Sequence, residues 1–161
     1  MSQGVVQSIG PADDAMGTVT LDYDARFRRR IVLTSDQGMP FMLDLPTATE
    51  LKEGDGLILD TGQVLRVVAA LEDVMEVRAT SPHHLMRTAW HIGNRHLPCE
   101  IHGDRLVLRW DHVIAEMLEQ LGCTVARVKK PFQPEGGAYG HGRTHGHDHG
   151  HSHGHNHGHS H

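Results

Sequence analysis

At 161 residues, with 38% hydrophobic and only 4% aromatic residues and a formal net charge of −5, the chain is sized for one ordinary domain or two small ones with an aliphatic core. An acidic balance with no basic cluster beyond the short run Arg28-Arg29-Arg30 argues against a nucleic-acid partner. No apolar run is long enough to span a bilayer, no signal segment is recognisable, and the two cysteines, Cys99 and Cys123, lack a CxxC spacing and suit free thiols, so the expected location is the cytoplasm.

Residues 1–73 read as short strands and turns, a small β-rich N-terminal domain. Val5-Val6 opens one strand, Thr18–Leu21 alternates polar with apolar, and Arg30–Thr34 is closed by the turn Ser35-Asp36-Gln37-Gly38. Phe41–Leu45 is expected to end at Pro46, and Thr47–Lys52 is the one stretch suited to a helical turn. Leu57–Leu59 and Val64–Val68, separated by a turn through Gly62, carry a hairpin signal. The aspartates sit in turns and at strand edges, where they hydrogen-bond the backbone, so the domain reads as scaffold or docking surface and not as an active site.

From residue 74 the period changes. Met75, Val77 and Ala79 alternate with polar residues as a half-buried strand. Ser81-Pro82 is an N-cap followed by proline at the first helical position; Leu85, Ala89 and Ile92 give a helical stripe, and Gly93 suits the C′ position, so a helix is expected over 82–92. Leu97, Cys99 and Ile101 predict a second strand, and Leu106, Leu108 and Trp110 a third. Asp111 caps a helix whose apolar face is Ile114, Met117, Leu118 and Leu121, ended by Gly122, and a fourth strand follows over 123–128. The order βαββαβ over 74–133 predicts a ferredoxin-like C-terminal domain with both helices on one sheet face. The fold class is thus α+β.

Residues 134–161 form a different material. From His145 every second residue is histidine: His145, His147, His149, His151, His153, His155, His157, His159 and His161, with His141 upstream. Ten of the chain's 16 histidines fall in its last 21 residues, without one aliphatic side chain beyond Ala138. Such a segment cannot offset its ordering entropy and is expected to be a disordered, flexible His-rich tail. Its imidazoles suit nickel, zinc and copper, and a shared tether raises the effective concentration of the second and third ligand once the first is bound. The irregular Gly, Asp, Ser and Asn spacers distinguish it from an uninterrupted purification tag.

Six further histidines, His83, His84, His91, His96, His102 and His112, lie in the C-terminal domain. His83 and His84, in the first turn of a helix, are expected to face solvent. His96 follows Gly93-Asn94-Arg95 at a helix exit, where a side chain can project from a rigid element. One histidine cannot hold a metal, so a site there needs a partner ligand: a second His96 across a twofold axis, His112, His102 or the tail. Cys99 is expected to be a buried structural thiol.

The run His91-Ile92-Gly93-Asn94-Arg95-His96-Leu97-Pro98 resembles the signature of the UreE family, the urease accessory nickel chaperones, which carry a Gly-Asn-Arg-His-x-Pro stretch. Asp111-His112-Val113, the Met117-Leu118 helix and the segment Pro131–Tyr139 running into a His-rich end are also similar to that family. The resemblance implies a homodimer joined through the ferredoxin-like domain and a surface Ni(II) site formed by His96 from each subunit. It further implies added nickel capacity in the tail, and delivery to the urease apoprotein together with accessory proteins including the GTPase UreG. Zn(II) or Cu(II) would also bind such ligands in vitro. Some members carry a second histidine pair before the second helix; His112 matches one position, and Trp110 stands at the other.

Three other readings compete. A storage or buffering protein for nickel or zinc would need only the tail. A metal-dependent hydrolase would need a fixed site and a general base, and the sequence has no HExxH and no clustered carboxylates, so no enzyme activity is expected. A peptide-binding module would place function in residues 1–73.

Overall fold

The computed structural model describes residues 4–136; the expected disordered tail lies outside them from residue 137 on. The first sheet has six strands: β1 (Gly4–Pro11), β2 (Gly17–Leu21), β3 (Phe27–Thr34), β4 (Pro40–Glu50), β5 (Asp55–Leu59) and β6 (Val64–Ala69), ordered β2-β6-β5-β1-β4-β3. β1 runs parallel to β4 and β2 parallel to β6, while the β5–β6 hairpin is antiparallel as expected. Alternating apolar residues from these strands, among them Val6, Val19, Phe41, Leu43, Leu57, Leu65 and Val67, form one aliphatic core.

One expectation fails in this sheet. β4 does not stop at Pro46, and 47–52 is not helical: the strand continues to Glu50. Its pairing with β3 jumps from Arg30↔Asp44 to Arg28↔Thr49. Pro46 falls inside that irregularity, where the ladder demands no N–H from it, so the proline is tolerated in mid-strand.

The second sheet comprises β7 (Leu71–Arg78), β8 (Glu100–Ile101), β9 (Leu106–Arg109) and β10 (Thr124–Pro131), with α1 (Pro82–Asn94) and α2 (His112–Gln120). Its order β10-β7-β9-β8, antiparallel throughout, is the ferredoxin-like arrangement. Met75, Val77, Leu106 and Leu108 face a core completed by Ile92 of α1 and Ala115 and Leu118 of α2. β8 is shorter than the alternation of Leu97, Cys99 and Ile101 suggests. Pro98 lacks an N–H, and Leu97 is bound into the end of α1, so pairing begins only at Glu100.

The alternation also hides a second burial. Val107, an outward position by period, is 2% exposed, because Val74, Val107 and Phe132 pack on Tyr23 from the first domain. Arg26, in the 3-10 turn Asp24–Arg26, is buried at this seam and donates to the carbonyls of Leu21 and Phe132. Arg109 reaches across to the Asp24 carboxylate at 3.1 Å. The seam therefore fixes the backbone at Phe132, from which the chain leads toward its C-terminal segment. Among the described residues no helix is long and apolar enough to cross a membrane.

Candidate metal centre

The site is built from the two ends of the helical layer. α1 begins as its sequence dictates: the Ser81 hydroxyl accepts the His84 N–H at 3.0 Å and Pro82 occupies the first turn. Its end does not. Gly93, the residue suited to C′, lies inside the helix, which runs on to Asn94. Arg95 is the C-cap, and His96 takes the left-handed conformation, φ +58°. The His96 N–H donates to the Gly93 carbonyl at 3.0 Å and the Leu97 N–H to Ile92 at 3.3 Å, the paired bonds of a Schellman motif. Leu97 and Ile92 share the same hydrophobic cluster, completing it.

His96 is exposed, and among the described residues its ring makes no hydrogen bond. A non-glycine residue held left-handed costs roughly 1–2 kcal/mol. Two backbone bonds and the Leu97 anchor hold it there regardless. The result is an exposed imidazole on a rigid element.

The helices run antiparallel. Nε2 of His84, in the first turn of α1, lies 2.7 Å from the Leu121 carbonyl at the end of α2. The Thr80 N–H donates to Nδ1 of His84 at 3.0 Å, so Nε2 carries the proton and donates to Leu121. His84 is thus half-buried and structural, not solvent-facing as its place in the first helical turn suggested; His83 is exposed. The same antiparallel packing brings the exit of α1 beside the start of α2. There Leu97 and Pro98 face Trp110, Asp111 and Ile114 across a cleft of about 320 Å³ floored by Leu108 and Arg109. His96 and His112 are the sequence neighbours of the lining residues Leu97 and Asp111, and neither is itself in the lining.

His112 is exposed in the first turn of α2, whose start is capped by Asp111 accepting from Val113 N–H at 2.9 Å. Trp110 carries the Arg127 guanidinium at 4.6 Å from its ring centroid, and Arg127 is bonded to Asp73 at 3.1 Å. The indole N–H is a donor with no lone pair for a metal, so position 110 forms no ligand pair with His112. His102 is engaged with Glu100 at 2.9 Å, and the other Glu100 oxygen accepts the Gln133 N–H at 3.0 Å. Cys99 is buried, and burial pushes its thiol up to about 12. Among the described residues no three histidine, cysteine, aspartate or glutamate side chains gather to hold an ion.

The Glu135 N–H donates to the Cys99 carbonyl at 2.9 Å. The segment that leads to His141, His145, His147, His149, His151, His153, His155, His157, His159 and His161 therefore leaves the fold beside the His96 loop; those histidines themselves lie outside the described residues. Nothing in the sequence period could have foretold the role of His84, whose partners are set by helix packing. The left-handed His96 had a weaker signal, the absence of glycine or asparagine at the true C′ position.

Fold and site together define a two-domain α+β protein that presents an uncommitted imidazole at one end of its helical layer. Residues 3–70 match the profile of the UreE urease accessory protein N-terminal domain and residues 72–161 that of its C-terminal domain. The chain belongs to the UreE urease accessory protein family, a family of accessory proteins and not of enzymes. It is 51% identical over 125 residues to the urease accessory protein UreE of a Bradyrhizobium species, covering 78% of this chain and 61% of that one. Identity to the UreE of a Chelativorans species is 54% over 127 residues, 79% and 80% of the two chains. With Ruegeria pomeroyi UreE it is 50% over 139 residues, 86% and 91%. The matched segment thus spans about three fifths of the Bradyrhizobium relatives' own length.

Proposed function

We propose that this protein is a nickel-binding metallochaperone that delivers Ni(II) to apo-urease during assembly of the urease active site. It works in the cytoplasm as a homodimer, with urease and accessory proteins including the GTPase UreG as partners. Residues 1–73 serve as the docking scaffold, 74–133 as the metal-binding and dimerising domain, and 134–161 as an added reservoir. The observation that carries this reading is the exposed His96 imidazole, fixed at a strained backbone position with no structural task among the described residues.

The chemistry supports delivery. Two imidazoles meeting across a twofold axis leave most of the coordination sphere of Ni(II) open, so an acceptor can attack it. A closed four-ligand cage would retain the ion. The exposed Met86 and Trp90, 65% and 64% exposed on one face of α1, offer apolar surface for a partner protomer near this end. His112 and the tail histidines are the further ligands. The proximity of Glu135 to Cys99 lets the first of the tail histidines approach the His96 loop.

The reading is tested by titrating Ni(II) calorimetrically into the full chain and into a chain cut after Ala138, each with and without His96→Ala. We expect the cut chain to bind about one ion per two chains and the substitution to abolish it. A cut chain that binds nothing would leave the ten tail histidines as the metal site. The protein would then be a nickel or zinc store without a delivery partner, the second reading those histidines favour.

A further inference from the structure

The run that closes α1, Gly93-Asn94-Arg95-His96, carries a second chemical group beside the imidazole. Arg95 is the C-cap residue and is exposed. Its guanidinium donates to the His91 carbonyl at 3.2 Å, and among the described residues that neutral oxygen is the only bonded partner of its side chain. Arg78, Arg105, Arg109 and Arg127 of the same domain each have an acidic partner. The Arg95 charge is therefore not offset by a bonded carboxylate. The place it occupies is one that attracts cations: the last carbonyls of a helix lack intrahelical partners, and the aligned peptide dipoles put about half a negative charge there. Left bare, that end of α1 would help to hold a metal ion at the next residue.

We infer that Arg95 tunes release: its charge opposes the dication bound at His96 and keeps the hold loose enough for an acceptor to take the ion. This deepens the proposed function and rests on its assignment of His96. The guanidinium and the imidazole are both borne by the final turn of α1 and its cap, which puts them on the order of 10 Å apart. Across water at low salt, a single charge and a dication at that spacing repel enough to weaken binding about two- to threefold. An ion on a twofold axis meets two Arg95 side chains, so the factors multiply to about fivefold. A purely structural role has the opposite sign. If Arg95 only capped α1, its loss would loosen the turn that carries His96 and weaken binding.

The test uses the full chain and Ni(II) alone, buffered by a competing chelator. Loss or shift of the His96 and Leu97 backbone amide NMR signals reports this site apart from the tail histidines. Arg95→Met removes the charge and keeps an apolar stem; Arg95→Lys keeps the charge. At about 20 mM salt Arg95→Met should bind about fivefold tighter than the parent, and at about 0.5 M salt the gain should shrink to less than about twofold as the repulsion is screened. Arg95→Lys should stay within about twofold of the parent at both. Equal or weaker binding by Arg95→Met overturns the proposal while leaving His96 as the metal site. So does a gain that survives high salt or appears equally in Arg95→Lys. Signals unmoved in the parent at saturating nickel would overturn the assignment of His96, and this inference with it.

Discussion

The two helices of the C-terminal domain end in the same motif built from opposite residues. At the end of α2, Gly122 takes φ +91°, its N–H donating to Glu119 at 2.9 Å and the Cys123 N–H to Leu118 at 3.0 Å. At the end of α1 the same two bonds close around His96 at φ +58°. Glycine enters the left-handed region without a steric penalty; histidine does not. A Cβ on Gly122 would also meet Cε1 of His84 at 3.4 Å, so that end is packed as well as relaxed. The α1 end is strained and open. Strain at an exposed position with no packing return is expected where a side chain is kept for binding.

The contrast breaks first at His96. Replacing it with glycine should make the two helix ends alike. The fold should gain roughly 1 kcal/mol, read as a higher midpoint in urea denaturation. The same change should weaken Ni(II) binding by at least about 100-fold in the chain cut after Ala138, since even loss of an outer support costs 10–100-fold. A more stable protein that has lost its cargo is the signature of a residue retained against stability. If His96→Gly binds nickel normally, or destabilises the fold, the left-handed histidine is ordinary structure.

The opposite pattern should hold at the other end of α1. His84→Ala removes the donor to Leu121 and the acceptor for Thr80, and opens space beside Cys123, whose sulfur lies 4.0 Å from Nε2. The expected loss is about 2 kcal/mol, several degrees in thermal midpoint, with nickel affinity unchanged. A change in affinity without a change in stability would reverse the roles assigned to these two histidines.

These histidines also mark what was legible in the sequence. The βαββαβ order, the caps at Ser81 and Asp111 and the closing Gly122 follow from period and local chemistry, and the structure has them all. His96 was found as a projecting residue after a helix, yet the helix was stopped too early, at Ile92. Glycine is the usual C′ residue, and the chain passes through Gly93 to spend the position on histidine. The rule failed where binding outweighs propensity. His84 and Val107 were misplaced for another reason: their partners, Leu121 and Tyr23, come from distant segments, and a single-sequence period shows that a face is apolar or polar without showing what lies against it.

His96 is not alone in the left-handed region, since the exposed Asp14 also takes φ +55°; a different burden, a half-buried charge, lies at Glu72. Its carboxylate lies half-buried at the seam between the domains and accepts the Tyr23 N–H at 2.9 Å. Burial is the chief influence and raises its pKa above the ordinary glutamate range; the Tyr23 bond, and more weakly Arg26 and Arg109, oppose the rise. The folded state therefore binds this proton more tightly than the unfolded one. Its stabilising effect is complete below the unfolded value and is lost as pH rises through the folded value, so ionised Glu72 is a burden at neutral pH. Glu72→Gln keeps an oxygen for Tyr23 without the charge. It should raise the thermal midpoint modestly at pH 7, the smallest of these effects, and the advantage should fade toward pH 4. A lower midpoint at pH 7 would mean that Arg26 and Arg109 need the carboxylate, and Glu72 would then be compensated.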